Sequence, residues 1–136
     1  MYKKVLVPMA LDHGISPQTL AIAKAICSDG GAITALHVFE VPKGSVSAYI
    51  GEDTVERGFR AARALLQDKV AGMAGVTPDI TRGQAHRAIT RYAVEHGFDC
   101  IVIGSHKPGF ADYLIGSTAA RVVRHAPCSV HVHRDA

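Results

Sequence analysis

The stretch Asp99-Cys100-Ile101-Val102-Ile103-Gly104 decides the fold. Four successive apolar residues between an aspartate and a glycine leave no polar face, the pattern of a strand covered on both sides. Such a strand belongs in a parallel sheet with helices above and below it. On its amino side, Ala85, Ala88, Ile89, Tyr92 and Ala93 recur at helical spacing, and His96-Gly97 reads as the C-terminal cap. On its carboxyl side, Ser117 to Ala126 reads as a helix stopped by Pro127, and Cys128 to His133 as a last strand.

Further out the same alternation continues. Lys3 to Val7 is a short apolar strand ended by Pro8, which cannot donate to a ladder. Ser16-Pro17 opens a helix whose apolar side is Leu20, Ile22, Ala23 and Ile26, with Ser28-Asp29-Gly30-Gly31 as its stop and Ala32 to Phe39 as the next strand. Glu40 to Gly51 reads as a loop. Asp53 then caps a helix with Glu56 three residues on, and Val55, Phe59, Ala62, Leu66, Val70 and Met73 form its core stripe. Thr77 to Arg82, with Pro78 inside it, is an edge strand ended by Gly83. The order β-α-β-α-β-α-β-α-β predicts an α/β fold: an open five-stranded parallel sheet, order 3-2-1-4-5, Rossmann-like, with helices on both faces and right-handed crossovers. Residues 1–136 read as a single domain.

The totals narrow the function classes. At 48% hydrophobic and 20% charged residues the chain is an ordinary globular one. Its net charge of +3 is spread along the whole length, with no basic stripe to track nucleic acid. Cys27, Cys100 and Cys128 form no C-x-x-C pair, and an odd count is a poor disulfide framework, which points to a reducing compartment. The run from Val5 to Leu11 is too short for a signal sequence, and nothing approaches the ~20 apolar residues that span a bilayer. A cytoplasmic location without membrane insertion is expected.

In an open parallel sheet ligands bind at the carboxyl ends of the strands, where the strand order reverses. Here that crevice lies between strands 1 and 4, faced by Pro8-Met9-Ala10 and Gly104-Ser105-His106-Lys107. The connection from Gly104 to Thr118 is long for a βα loop, typically about 2–6 residues, and it ends at a helix start. There the amides of Gly116, Ser117 and Thr118 make an anion site, Gly104 permits close approach of a ligand, and Lys107 adds a positive charge. Neither G-x-G-x-x-G nor the P-loop pattern occurs. On the residues alone a second reading stands equally, in which Gly104 is a turn residue and Ser117 an N-cap.

Other constellations carry less. His131 and His133 share one strand face, but two ligands are not a metal site. Ser105-His106 has no orienting carboxylate and makes no hydrolase triad. No paired acids are placed to hold magnesium, so the chain offers it no identifiable protein ligands. His37 is expected to pack at the end of its strand.

Four segments together resemble the universal stress protein (Usp) family over nearly the whole chain: Met1-Tyr2-Lys3-Lys4-Val5-Leu6-Val7-Pro8, Leu36-His37-Val38, Ile101-Val102-Ile103-Gly104-Ser105-His106, and the run from Gly116-Ser117-Thr118 to Val130. The final third is most similar to the UspF/UspG-like branch, whose members often bind ATP. The family's motif G-x2-G-x9-G-[ST] is matched at Gly104, Gly116 and Ser117. Lys107 replaces the second glycine, with eight rather than nine residues between it and Gly116, so phosphate contact would pass from amide to side chain. Ala10 stands where the family commonly has an aspartate near the adenosine, which removes a hydrogen bond unless Asp12 reaches back.

The resemblance implies an adenine pocket lined by Pro8, Met9, Val38 and Ile103, with Ala10 beside it. Phosphates would lie along Gly104, Ser105, His106 and Lys107 and along Gly116, Ser117 and Thr118. It further implies a stress-response regulator that binds ATP, with AMP and ADP as the other candidates, and a homodimer joined through the last strand. A regulatory protein partner of unknown identity completes that picture. Weak ATP hydrolysis or autophosphorylation at Ser117 or Thr118, and a nucleotide-free dimeric adaptor, are the rival expectations.

Overall fold

A computed structural model describes residues 1–11, 17–40, 51–105 and 116–134. In chain order the elements are β1 (Tyr2–Pro8), α1 (Pro17–Ile26), β2 (Cys27–Phe39), α2 (Glu52–Val70), β3 (Val76–Arg82), α3 (Ala85–His96), β4 (Cys100–Gly104), α4 (Ser117–His125) and β5 (Ser129–His133). The five strands form one parallel sheet in the order β3-β2-β1-β4-β5, as expected. Pro78 does lie on the edge strand β3, and β4 is paired on both sides, although β1 holds the middle. No helix among the described residues is long and apolar enough to cross a membrane.

Alternation along the strands splits the core in two. Val5, Val7, Ile33, Ala35, Cys100 and Val102 meet α1 and α2 through Leu20, Ala23, Leu66 and Val70. Leu6, Leu36, Ile101 and Ile103 point the other way and meet α3 and α4 through Ile89, Tyr92, Ala93, Ala119 and Val122. Val5, Leu6, Ile101 and Val102 have no measurable exposure, the outcome expected of a strand pair buried on both faces. The stripe of α3 is buried at Ala88, Ile89, Tyr92 and Ala93, and Gly97, left-handed at φ 69°, caps the helix with its N–H.

Three local expectations are corrected. Ser28 to Gly31 is not a separating turn: β2 begins at Cys27, directly after α1, and its start is bulged, with Tyr2 opposite Cys27 and Lys4 opposite Ala32. Gly31 sits where a Cβ would lie 2.7 Å from Cys27 Sγ and 2.9 Å from the Lys3 carbonyl, so close packing of backbone on backbone demands glycine there. Asp53 is not the cap of α2. Gly51 takes that position without a side-chain bond, because Glu52 is already helical, and Glu56 pairs instead with Arg82 at 2.5 Å. Of the α2 stripe only Leu66 and Val70 are buried, and the helix ends before Met73. Its amino-terminal half stands over the end of the sheet, with Phe59 edge-on to Phe39 and the Arg82 guanidinium 4.3 Å from the Phe59 ring centre. Ser16 lies outside the described residues.

At the amino end of the central strands one carboxylate holds β1 to the start of β4. Asp99 Oδ2 accepts from the Lys3 amide at 2.9 Å, Oδ1 from the Lys4 amide at 3.0 Å, and the Asp99 amide donates to the Lys4 carbonyl. Burial acts to raise the Asp99 pKa, but the amide bonds from Lys3 and Lys4 and the Lys3 charge outweigh it and hold the carboxyl below its ordinary 3.8. A depressed pKa contributes stability that is present above the unfolded value and is lost as pH falls through the folded one. Asp99→Ala should therefore lower stability by about 1–2 kcal/mol at pH 7. The gap from the native chain should narrow below about pH 4, as urea midpoints at the two pH values would show.

Candidate functional site

The crevice opens because β1 and β4 part. They are paired at Val5↔Cys100 and Leu6↔Ile101, whereas β1 stays with β2 through Pro8 and β4 with β5 through Gly104. After β1 the chain turns to α1 on one face, and after β4 it turns to α4 on the other. This is the reversal point at which an open α/β sheet leaves room for a ligand.

Each lip is held by hydrogen bonds. On the β1 side the Met9 amide donates to the Leu36 carbonyl at 2.8 Å, and His37 Nδ1 bonds the Met9 carbonyl at 2.9 Å. A carbonyl only accepts, so Nδ1 carries the hydrogen. On the β4 side the Ser105 amide donates to the His133 carbonyl at 2.8 Å, and the Ser105 hydroxyl accepts from the Gly116 amide at 3.2 Å. Ser105, only 9% exposed, thus ties the end of β4 to the start of α4 and closes the base of the intervening loop.

That bond revises the expected anion site. The Gly116 amide is engaged by Ser105 Oγ, which leaves the first-turn amides of Ser117 and Thr118 as donors. The dipole of α4 still favours an anion there: its first turn has no acidic residue, and Arg124 and His125 lie in its last turn. Gly116, not Ser117, is the N-cap, at φ −61° and ψ 152°.

Neither motif glycine is required by its backbone. Gly116 has an ordinary φ, and among the described residues a Cβ there would meet nothing within 4 Å. Gly104 is likewise outside the left-handed region, and its Cβ would meet only Thr19 Oγ1, at 3.7 Å. Gly97, by contrast, serves a left-handed turn. Open space where the fold does not need glycine is what a close-lying ligand requires.

The other expected residues divide. Met9 and Ile103 are buried in opposite halves of the core, and Val38 packs against the α3 and α4 side. Pro8 is half-buried, and Ala10 is exposed at the mouth. His106, Lys107 and Asp12 lie outside the described residues.

Two features escaped the sequence reading. Thr19, buried at 5% exposure in the first turn of α1, faces Gly104 across the crevice. An open cavity of about 490 Å³ lies beneath α2 at the end of β2, lined by Leu11, His37, Val38, Phe39, Ala62 and Leu65 among others. Its volume is within the range of small-molecule pockets. The signal was a pair of small residues, Ala61-Ala62, between Arg60 and Arg63 on α2. Cys100 offers no nucleophile: burial, with Cys128 and Asp99 adding to it, pushes its thiol up to about 11. Among the described residues no group of three or more His, Cys, Asp or Glu is gathered for a metal.

The model of the universal stress protein family matches residues 1–134. The chain belongs to that family. It is similar to universal stress protein G of Shigella flexneri, 29% identical over 143 residues that span 98% of this chain and 100% of the relative. Among solved structures it resembles the universal stress protein UspA of Lactobacillus plantarum, at 25% identity and a TM-score of 0.68, with 98% of each chain covered. It also shares its fold with an Arabidopsis thaliana family member solved with AMP bound, at 17% identity and a TM-score of 0.61, covering 98% of this chain and 92% of the other.

Ser105→Ala should cost about 0.5–1.5 kcal/mol, the usual net worth of one hydrogen bond, and should speed hydrogen exchange at the Gly116 amide while the core amides of β4 stay protected. Native-state exchange read residue by residue checks both outcomes.

Proposed function

We propose that this protein is a cytoplasmic regulator of the stress response that binds an adenine nucleotide in the crevice between β1 and β4. The observation that carries the reading is the pair Gly104 and Gly116, glycines in ordinary backbone conformations where, among the described residues, an added Cβ would meet at most the Thr19 hydroxyl at 3.7 Å. The fold relative with AMP bound supports the ligand class. The base would enter on the side of Met9 and Val38, and the phosphates would meet the Ser117 and Thr118 amides with Lys107 alongside. ATP is the preferred ligand, held and released as a signal. A homodimer through the open outer edge of β5 presents the site to a regulatory partner.

The test is thermal unfolding with and without ATP and AMP. A ligand that binds only the native state at about 100 times its dissociation constant stabilises it by about 2.7 kcal/mol. Melting temperatures unmoved by millimolar nucleotide would leave the nucleotide-free adaptor as the better account, and labelled product from ATP would favour the enzyme.

Gly104→Val and Gly116→Val give the sharper result. Both should fold with melting temperatures close to that of the native chain, since neither position needs glycine, and both should lose the nucleotide-induced shift. A variant that folds and still binds would displace the site from this crevice.

A further inference from the structure

The ring of His37 is divided between two tasks. Nδ1, carrying the hydrogen, bonds the Met9 carbonyl and fixes the segment at the mouth of the crevice. With the hydrogen committed there, Nε2 of the uncharged ring holds only a lone pair. Nε2 has no hydrogen-bond partner among the described residues, and the half-buried His37 lines the 490 Å³ cavity. The other lining side chains are Leu11, Val38, Phe39, Ala61, Ala62 and Leu65, with Glu40, whose carboxylate already accepts from the Ala85 amide, at the end of the strand. A flat heterocycle fits such walls, and an acceptor on an apolar wall selects for a donor on the ligand.

We infer that His37 is a specificity-determining residue whose Nε2 accepts a hydrogen bond from the exocyclic amino group of an aminopurine seated in this cavity. The inference rests on the nucleotide reading above and deepens it. Met9 links the two tasks, because the bond that shapes the crevice mouth also sets the tautomer that reads the base.

Adenosine and purine riboside differ by that one amino group. The native protein should bind adenosine about 3- to 10-fold more tightly, the worth of one hydrogen bond. In His37→Asn the side-chain amide can replace Nδ1 against Met9 but does not reach the position of Nε2. It should keep slow exchange of the Met9 amide and lose the preference. In His37→Gln the longer amide reaches the Nε2 position, so a preference should persist while the Met9 amide exchanges faster. Equal binding of the two nucleosides by the native protein would overturn the assignment and leave the nucleotide reading standing, as would a preference retained in His37→Asn. Native protein that binds neither nucleoside nor ATP would overturn both.

Discussion

Everything distinctive in this molecule follows from the parting of two neighbouring strands. β1 and β4 share only the pairs Val5↔Cys100 and Leu6↔Ile101, and their two-sided burial fixes that contact firmly. Beyond it they must diverge. Pro8 has no N–H to donate, and the two chains leave for opposite faces of the sheet. Asp99 ties the same strands together at their amino ends, so the pair is hinged shut at one end and open at the other. A crevice with a rigid floor is the consequence.

Its lips are held by short-range polar bonds. The Met9 segment is fastened to β2 from two directions, through the Leu36 carbonyl and the His37 ring, and Ser105 is fastened to β5 and to α4. The two backbone bonds continue the ladders of β1 with β2 and of β4 with β5, so each lip stays with its outer neighbour. Preorganisation of this kind lowers the ordering cost of binding, because the walls are placed before a ligand arrives.

The fold was legible in the residues because a doubly buried strand, Cys100 to Ile103, and the helical stripe of α3 leave few alternatives. The boundaries that misled were those set by tertiary contact. The Gly30-Gly31 pair reads as a stop, yet Gly31 is squeezed against Cys27 and Lys3 in a bulge that only the paired strand creates. Asp53 and Glu56 have the spacing of a capping box, but Arg82 on a neighbouring strand takes the carboxylate that would complete it. At the site, the glycines and the start of α4 could be picked out from their order. The diversion of the Gly116 amide to Ser105 could not, since it depends on how the loop's two ends meet, and the cavity beside His37 depends on α2 packing over the end of β2.

The two ends of the crevice are built by different means, and this sets what each can contribute. At the start of α4 the donors are backbone amides and a dipole, which recognise negative charge without regard to what carries it. With the Gly116 amide engaged, that end has fewer donors than the loop motif promised, and its attraction for phosphate is screened by salt. The β2 end offers mostly apolar walls, an oriented His37 ring and the Glu40 carboxylate, which respond to shape and to hydrogen-bond donors. An acceptor oriented on such a wall favours a ligand that can donate to it, because one that cannot leaves it unpaired. In the proposed nucleotide complex, the helix end would therefore attract any phosphorylated ligand, and selection among such ligands would fall to the end where His37 stands.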